Sequence, residues 1–295
     1  MVEKVAVIGL GSMGYGIAQS CVRAGFETWG RDLNADRVAR LKAEGGAVAP
    51  LQIANLDAVL VVVLNDAQAK NVLFGQAGLA NDLRPGAVVV GCSTVPPDFA
   101  KDVAARLATL GVYYLDAPIS GGAAKAADGA LSIMASGPAT AFAAARPVLD
   151  AISETVFELG DVAGPGSAVK AVNQMLAGVH IAAVAEALTF GMTQGVAPTT
   201  FVDVISKCAG TSWMLENRAP HIVDGDYTPR SQVNIWPKDL GIVLEIAKAS
   251  GFPAPITEAA LDRFSEAVKA GLGHEDDAAV AKVYAAAAGL KLPEN

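Results

Sequence analysis

Lys170, Asn173 and Gln174 stand at i, i+3 and i+4 in a stretch dominated by alanine, valine, leucine and isoleucine. On a helix this spacing puts one amine and two amides on the same face. Near a helix start, the positive dipole end and partial burial both disfavour the charged lysine, which moves it toward the range useful for proton transfer. The chemistry expected of the set is removal of a hydroxyl proton by neutral Lys170 while a hydride leaves the adjacent carbon. Asn173 and Gln174 would hold the substrate oxygen and carboxylate. In the reverse direction protonated Lys170 would be the general acid. The competing reading is a lysine reaching solvent beside two surface amides.

A departing hydride needs an acceptor, and a second motif supplies a place for one. Gly9-Leu10-Gly11-Ser12-Met13-Gly14 is a G-x-G-x-x-G between an apolar run and a helical pattern. Its glycines permit a tight turn and close approach of backbone to a pyrophosphate, and the following helix start offers unpaired N–H groups. Asp32 follows Gly14 by 18 residues, at the end of a second apolar run. A carboxylate there accepts from ribose hydroxyls and repels a 2′-phosphate, which favours NAD; the neighbouring Arg31 leaves NADP open. Leu64 and Asn65, closing the apolar run Ala58–Leu64, join the cofactor-binding candidates. A third small-residue cluster, Ser120-Gly121-Gly122, is either a backbone cradle for a carboxylate or a flexible connection.

The elements that must position these groups alternate in the first half. Strands are expected over Val5–Ile8, Glu27–Arg31, Ala58–Leu64 and Ala87–Val90, with helices over Tyr15–Ala24 and Asp98–Leu110 between them. Strand–helix alternation with continuous apolar runs predicts a doubly wound parallel sheet, a Rossmann-type α/β domain. Tyr113–Asp116, Leu131–Ala135 and Thr155–Glu158 are expected to extend it. After Gly164-Pro165-Gly166 the pattern turns helical and stays so. A helix over Ser167–Gln194, on the order of 40 Å long, opens an all-α second domain. The expected division is residues 1–163 and 164–295, with the ligand site in the cleft at the joint.

Composition narrows the function classes. The net charge of −8 argues against a nucleic-acid partner. Apolar runs such as Ala58–Leu64 are too short to span a bilayer, and Met1-Val2-Glu3-Lys4 lacks a signal-peptide layout, so a cytoplasmic protein without a membrane partner is expected. Cys21, Cys92 and Cys208 are isolated and odd in number, fitting neither a disulfide framework nor a zinc site. No metal is expected; His274-Glu275-Asp276-Asp277 reads as an exposed loop feeding a helix cap, and His180 as a packed histidine.

Five separated segments, in order, resemble the β-hydroxyacid dehydrogenase family, which includes 3-hydroxyisobutyrate dehydrogenases and tartronate semialdehyde reductases. They are the GLGSMG loop, Ser93-Thr94 followed by Pro97, the DAPISGG segment from Asp116, the run from Gly164 to Asn173, and Lys238-Asp239-Leu240. The resemblance implies that Thr94 lies on the nicotinamide side, that Ser120, Gly121 and Gly122 hold the substrate carboxylate, that Lys170 is catalytic, and that Lys238 serves the cofactor and active site. It also implies a homodimer or homotetramer. Two positions depart from the family pattern: Gly91 stands in the region where an aspartate is usual, and Gln174 where a second asparagine is usual. The segments around Asn173–Ala182, Ser212–Met214, Glu216–Arg218 and Asp224–Tyr227 resemble a branch that oxidises a four-carbon sugar acid, L-threonate, to its 2-oxo form with NAD. Ser212, Asn217 and Gln174 are then the expected polar partners of a polyol chain. The alternatives are 3-hydroxyisobutyrate or tartronate semialdehyde as substrate and, further off, a dinucleotide sensor without turnover.

Overall fold

The computed structural model describes residues 2–294, which form two compact units, Met1–Lys170 and Ala171–Asn295. The first carries a five-stranded parallel sheet of β1 (Lys4–Ile8), β2 (Glu27–Arg31), β3 (Ala58–Val61), β4 (Val88–Gly91) and β5 (Tyr113–Asp116), in the order β2-β1-β3-β4-β5. The order reverses between β1 and β3, and in open α/β sheets that switch point is where ligands bind, beyond the strands' C-terminal ends.

Alternate residues of each strand enter two cores. Val5, Val7, Leu60, Val88 and Val90 pack with Ile17 and Ala18 of α1 (Ser12–Arg23) and Val148 and Leu149 of α6 (Ala139–Ile152). Ala6, Ile8, Val59, Val61 and Val89 pack with Leu73 of α3 (Asp66–Phe74) and Val103 and Leu107 of α4 (Pro97–Ala108). A strand buried on both faces must be apolar at every position, which is why these runs are continuous. Each such side chain contributes about 1.5–3 kcal/mol on burial.

The strands expected over Leu131–Ala135 and Thr155–Glu158 form, but they do not extend the first sheet. β7 (Leu131–Ala135) pairs parallel with β8 (Ser153–Glu158) and antiparallel with the short β6 (Ile119–Ser120), making a separate three-stranded sheet. Only a bridge between Asp116 and Ser136 links the two sheets. Here α2 (Ala35–Ala43) follows β2, and α5 (Gly122–Asp128) lies between β6 and β7.

Residues Pro165–Thr193 form one 29-residue helix, α7, about 44 Å long. It is long and apolar enough to cross a membrane by length and composition, contrary to the expectation drawn from the shorter runs. Its apolarity has a local cause: Ala177, Ile181, Ala182, Val184, Ala185 and Leu188 lie in the core of the second unit. That unit adds α8 (Pro198–Ile205), α9 (Trp213–Asp224), α10 (Ile235–Ala249), α11 (Pro255–Lys269) and α12 (Ala281–Ala288), with Trp236 stacked on Phe264 at 5.5 Å.

The 274–277 segment differs from the exposed loop expected of it. Asp276 and Asp277 are fully buried. Asp276 accepts from His221 Nδ1 at 2.8 Å, and Asp277 pairs with Arg218 Nε at 2.5 Å and Trp236 Nε1 at 3.0 Å. A carboxylate is buried without penalty only where such partners replace water.

Candidate active site

The glycine loop leaves β1 with Gly9 in the left-handed region, φ +95°, and a Cβ there would lie 2.3 Å from the Val62 carbonyl oxygen. Gly14 packs so closely that a Cβ would fall 1.9 Å from Gly9 O. Gly11 faces open space and stands at the N-cap of α1, where no side chain caps the helix. The first N–H groups of α1 are therefore left for an anion, beside a backbone that a phosphate can approach closely. Ser12 and Met13 open α1; Ser12 is exposed, and Leu10 is buried beneath the loop.

Asp32 sits just past β2. Its Oδ2 accepts from Leu10 N at 2.6 Å and its Oδ1 from Asn34 N at 2.8 Å. A carboxylate has about four acceptor positions, so two remain for ribose hydroxyls, and the first bond ties this residue to the loop. Arg37 lies 3.9 Å from Asp32 Oδ2, whereas Arg31 is exposed at the strand end. Asn65 caps α3 by accepting from Gln68 N, and Leu64 beside it is half exposed. The arrangement fits a dinucleotide, with pyrophosphate on α1 and ribose on Asp32.

At the end of β4, Ser93 Oγ accepts from Val63 N at 3.1 Å, which fixes the loop bearing Thr94 to β3. A Cβ on Gly91 would meet the Tyr114 hydroxyl at 2.3 Å. Tyr114 is buried and its hydroxyl is pushed well above its ordinary range by burial. The missing aspartate at this position thus has a steric cause: the tyrosine occupies its room. Burial also pushes the neighbouring Cys92 thiol up to about 12, which removes thiolate chemistry from the site.

Ser120 ends β6, and Gly121 and Gly122 follow at φ +136° and +77°, opening α5. Gly121, its N-cap, makes no side-chain cap bond. Upstream, Asp116 at the end of β5 is fully buried and reaches the start of α7. It accepts from Gly164 N at 3.0 Å, Ser167 N at 2.9 Å, Ser167 Oγ at 2.6 Å and Ser136 Oγ at 3.2 Å. Burial pushes its carboxyl above the usual range, and these four bonds work against that shift. Lys170 follows in the second turn of α7 and is 7% exposed.

In the second unit, Gln174 is buried and engaged at both ends. Its Nε2 donates to Asp239 Oδ2 at 2.5 Å, and its Oε1 accepts from Asn173 Nδ2 at 2.9 Å. Lys238 Nζ lies 2.5 Å from Asp239 Oδ1. Asn173, Gln174, Asp239 and Lys238 thus form one polar chain. Gln174 reaches Asp239 with its longer side chain. Ser212 uses its hydroxyl to cap α9, accepting from Leu215 N at 3.1 Å, and Asn217 accepts from Arg218. Sequence reasoning assigned no role to Asp116, Ser136, Ser167 or Asp239. A carboxylate closing the apolar run Tyr113–Leu115 was the available signal for the first.

A dinucleotide loop, a carboxylate cradle and a buried lysine define the class: this is an NAD-binding dehydrogenase acting on a hydroxy acid. The comparisons with known proteins agree. Residues 4–160 match the NAD binding domain of 6-phosphogluconate dehydrogenase, and residues 164–284 match the NAD-binding region of NADP-dependent 3-hydroxyisobutyrate dehydrogenase. The chain is 49% identical to an L-threonate dehydrogenase of Cupriavidus necator over 99% of each chain. It is 48% identical to that of Escherichia coli K12, over 98% of this chain and 96% of the relative. A crystal structure of 3-hydroxyisobutyrate dehydrogenase from Salmonella typhimurium superposes with TM-score 0.89 at 48% identity, covering 95% of this chain and 99% of that one. The chain belongs to the 3-hydroxyisobutyrate dehydrogenase-like family of β-hydroxyacid dehydrogenases.

Proposed function

We propose that the chain oxidises a four-carbon sugar acid of the L-threonate kind to its 2-oxo acid, with Lys170 as the general base. The observation that carries the reading is the burial of Lys170, 7% exposed, in the second turn of an otherwise apolar helix. NAD, when bound, accepts the hydride at its nicotinamide ring. Neutral Lys170 takes the hydroxyl proton as the carbon–hydrogen bond breaks, leaving a carbonyl on substrate and an ammonium on the lysine. Ser120, Gly121 and Gly122 hold the substrate carboxylate, and Asn173 orients the reacting oxygen. Gln174 acts by keeping Asn173 and Asp239 in register. Thr94 serves the nicotinamide side, and Lys238 serves the cofactor.

The substrate rests on the near-half identity to two L-threonate dehydrogenases over nearly the whole chain. The match to 3-hydroxyisobutyrate dehydrogenase in sequence family and structure supports a second substrate reading. Initial rates of NADH formation on L-threonate, D-threonate, D-erythronate, 3-hydroxyisobutyrate and D-glycerate, with NAD and with NADP, separate the two. The expected outcome is preference for L-threonate with NAD. Turnover of 3-hydroxyisobutyrate alone would replace the substrate while keeping the chemistry. We also propose a cytoplasmic homodimer or homotetramer. Val172, Leu176 and Phe190, all more than half exposed along α7, support association between copies.

A further inference from the structure

We propose that Asp116 is a positioning residue for Lys170, holding the first turn of α7 from the end of a strand in the main sheet. The proposal rests on Lys170 being the base.

A helix start leaves its first N–H groups without partners, and a Ser, Thr, Asp or Asn just before the helix normally supplies an acceptor. At α7 the acceptor comes instead from β5, 48 residues before Gly164 and 51 before Ser167. The carboxylate receives four donors on two oxygens, filling its acceptor positions. Ser136, at the end of β7, adds a fifth link by accepting from Gly166 N at 2.9 Å. Its backbone is bonded reciprocally to that of Asp116, at 3.0 and 2.8 Å. A Cβ on Gly166 would lie 2.4 Å from Met134 O and 2.8 Å from Asp116 O, so the helix starts directly against both strand ends.

Asp116, Ser136 and Ser167 are at most 1% exposed. Burying a carboxylate is costly, and a cap on the chain's own loop would satisfy the same N–H groups with less desolvation. What the distant cap adds is registration of the helix start to two sheets. Lys170 follows Ser167 by three residues and Gly166 by four, so the pinned positions and the amine lie on one helix face. A turn held at its start has little freedom one turn later, which fixes where the lysine stem leaves the backbone. Asp116 also directly precedes the segment Ala117–Gly122, so the strand end that mounts the base leads into the carboxylate cradle.

Asp116→Asn and Ser167→Ala test this, measured for kcat and KM on the best hydroxy acid of the panel, Kd for NADH and thermal stability. Asp116→Asn keeps the size but turns an amide donor toward donors. Its kcat is expected to fall about 30-fold, within the range for sub-ångström to ångström misplacement of a reacting group. KM is expected to stay within about threefold and Kd for NADH within about twofold, because the cradle backbone and glycine loop are untouched. Ser167→Ala removes a single bond and is expected to lower kcat about fivefold in a stably folded chain; it decides the matter if Asp116→Asn does not fold. Unchanged kcat in a folded variant overturns the proposal. So does a loss of kcat matched by an equal loss of NADH affinity, the mark of general loosening. Lys170→Ala, run alongside, separates the two levels. Full turnover there removes the base itself, whereas a dead Lys170→Ala beside an active Asp116→Asn removes only the positioning role.

Discussion

Two helix starts in the first unit are built in opposite ways. α1 begins at Gly11 with no side-chain cap and open space around it, whereas α7 begins on a buried carboxylate that takes two N–H groups and the Ser167 hydroxyl. An uncapped, accessible start leaves its partial positive charge for a ligand; a start capped from another element becomes a mount for the side chains that follow. The second unit offers a third case. Asp276 accepts from His221, Arg230 N and Ala278 N at the head of a short 3-10 turn, with no candidate site residue following it. Filling a helix start therefore has a functional consequence only where a reactive group lies one turn further on.

The most damaging way to break the contrast is to fill the open start. Gly11→Asp has room for its side chain and would cap α1 from within. The chain is expected to fold with unchanged or higher stability while Kd for NADH rises about 100-fold, since lost hydrogen bonds to a charged group are worth roughly 1.5–3 kcal/mol each. Fluorescence titration reads this directly, and NADH affinity within threefold of the parent would refute the assignment of α1 as the phosphate site.

A smaller change sharpens the polar chain of the second unit. Gln174→Asn shortens the side chain by one methylene and is expected to lose the bond to Asp239. The ratio of kcat/KM for L-threonate over a three-carbon hydroxy acid should fall about tenfold, an effect of roughly 1–1.5 kcal/mol. An unchanged ratio would mean that Gln174 sets no specificity.

The mildest test concerns Asp276, a filled start away from the candidate chemistry. Burial alone would raise its carboxyl, but the bonds from His221, Arg230 N and Ala278 N outweigh burial and hold it below its ordinary 3.8. Its stabilisation is thus fully present above that value and is lost as pH falls through the lower folded value. Asp276→Asn is expected to cost about 1–2 kcal/mol at neutral pH, roughly 3–6 °C in Tm, with kcat unchanged. Below pH 3 the difference from the parent should shrink; a gap that widens on acidification would contradict the sign.

Local patterns were readable in the sequence where one element carries the whole signal. Glu27–Arg31, Tyr113–Asp116 and Leu131–Ala135 form strands over those same residues, because continuous apolar runs between turn residues have few other uses. Sheet membership was not readable, since an apolar run does not say which edge it joins, and β7 and β8 make their own sheet. The buried polar residues were hidden for the same reason. Asp277 looks like a loop residue until Trp236 and Arg218, 41 and 59 positions away, are folded against it. Asp116 looks like a strand end until Gly164 and Ser167 arrive. Lys170, Asn173 and Gln174 were visible as a set because the helix itself supplies their spacing, but the bond from Gln174 to Asp239, 65 positions on, was not.

The central claim is that Lys170 moves the proton, and kcat of Lys170→Ala measured beside its Kd for NADH tests it most directly. The account predicts a fall in kcat of about 10²–10⁴-fold with NADH affinity and Tm close to the parent's. Normal turnover by the folded variant would contradict it.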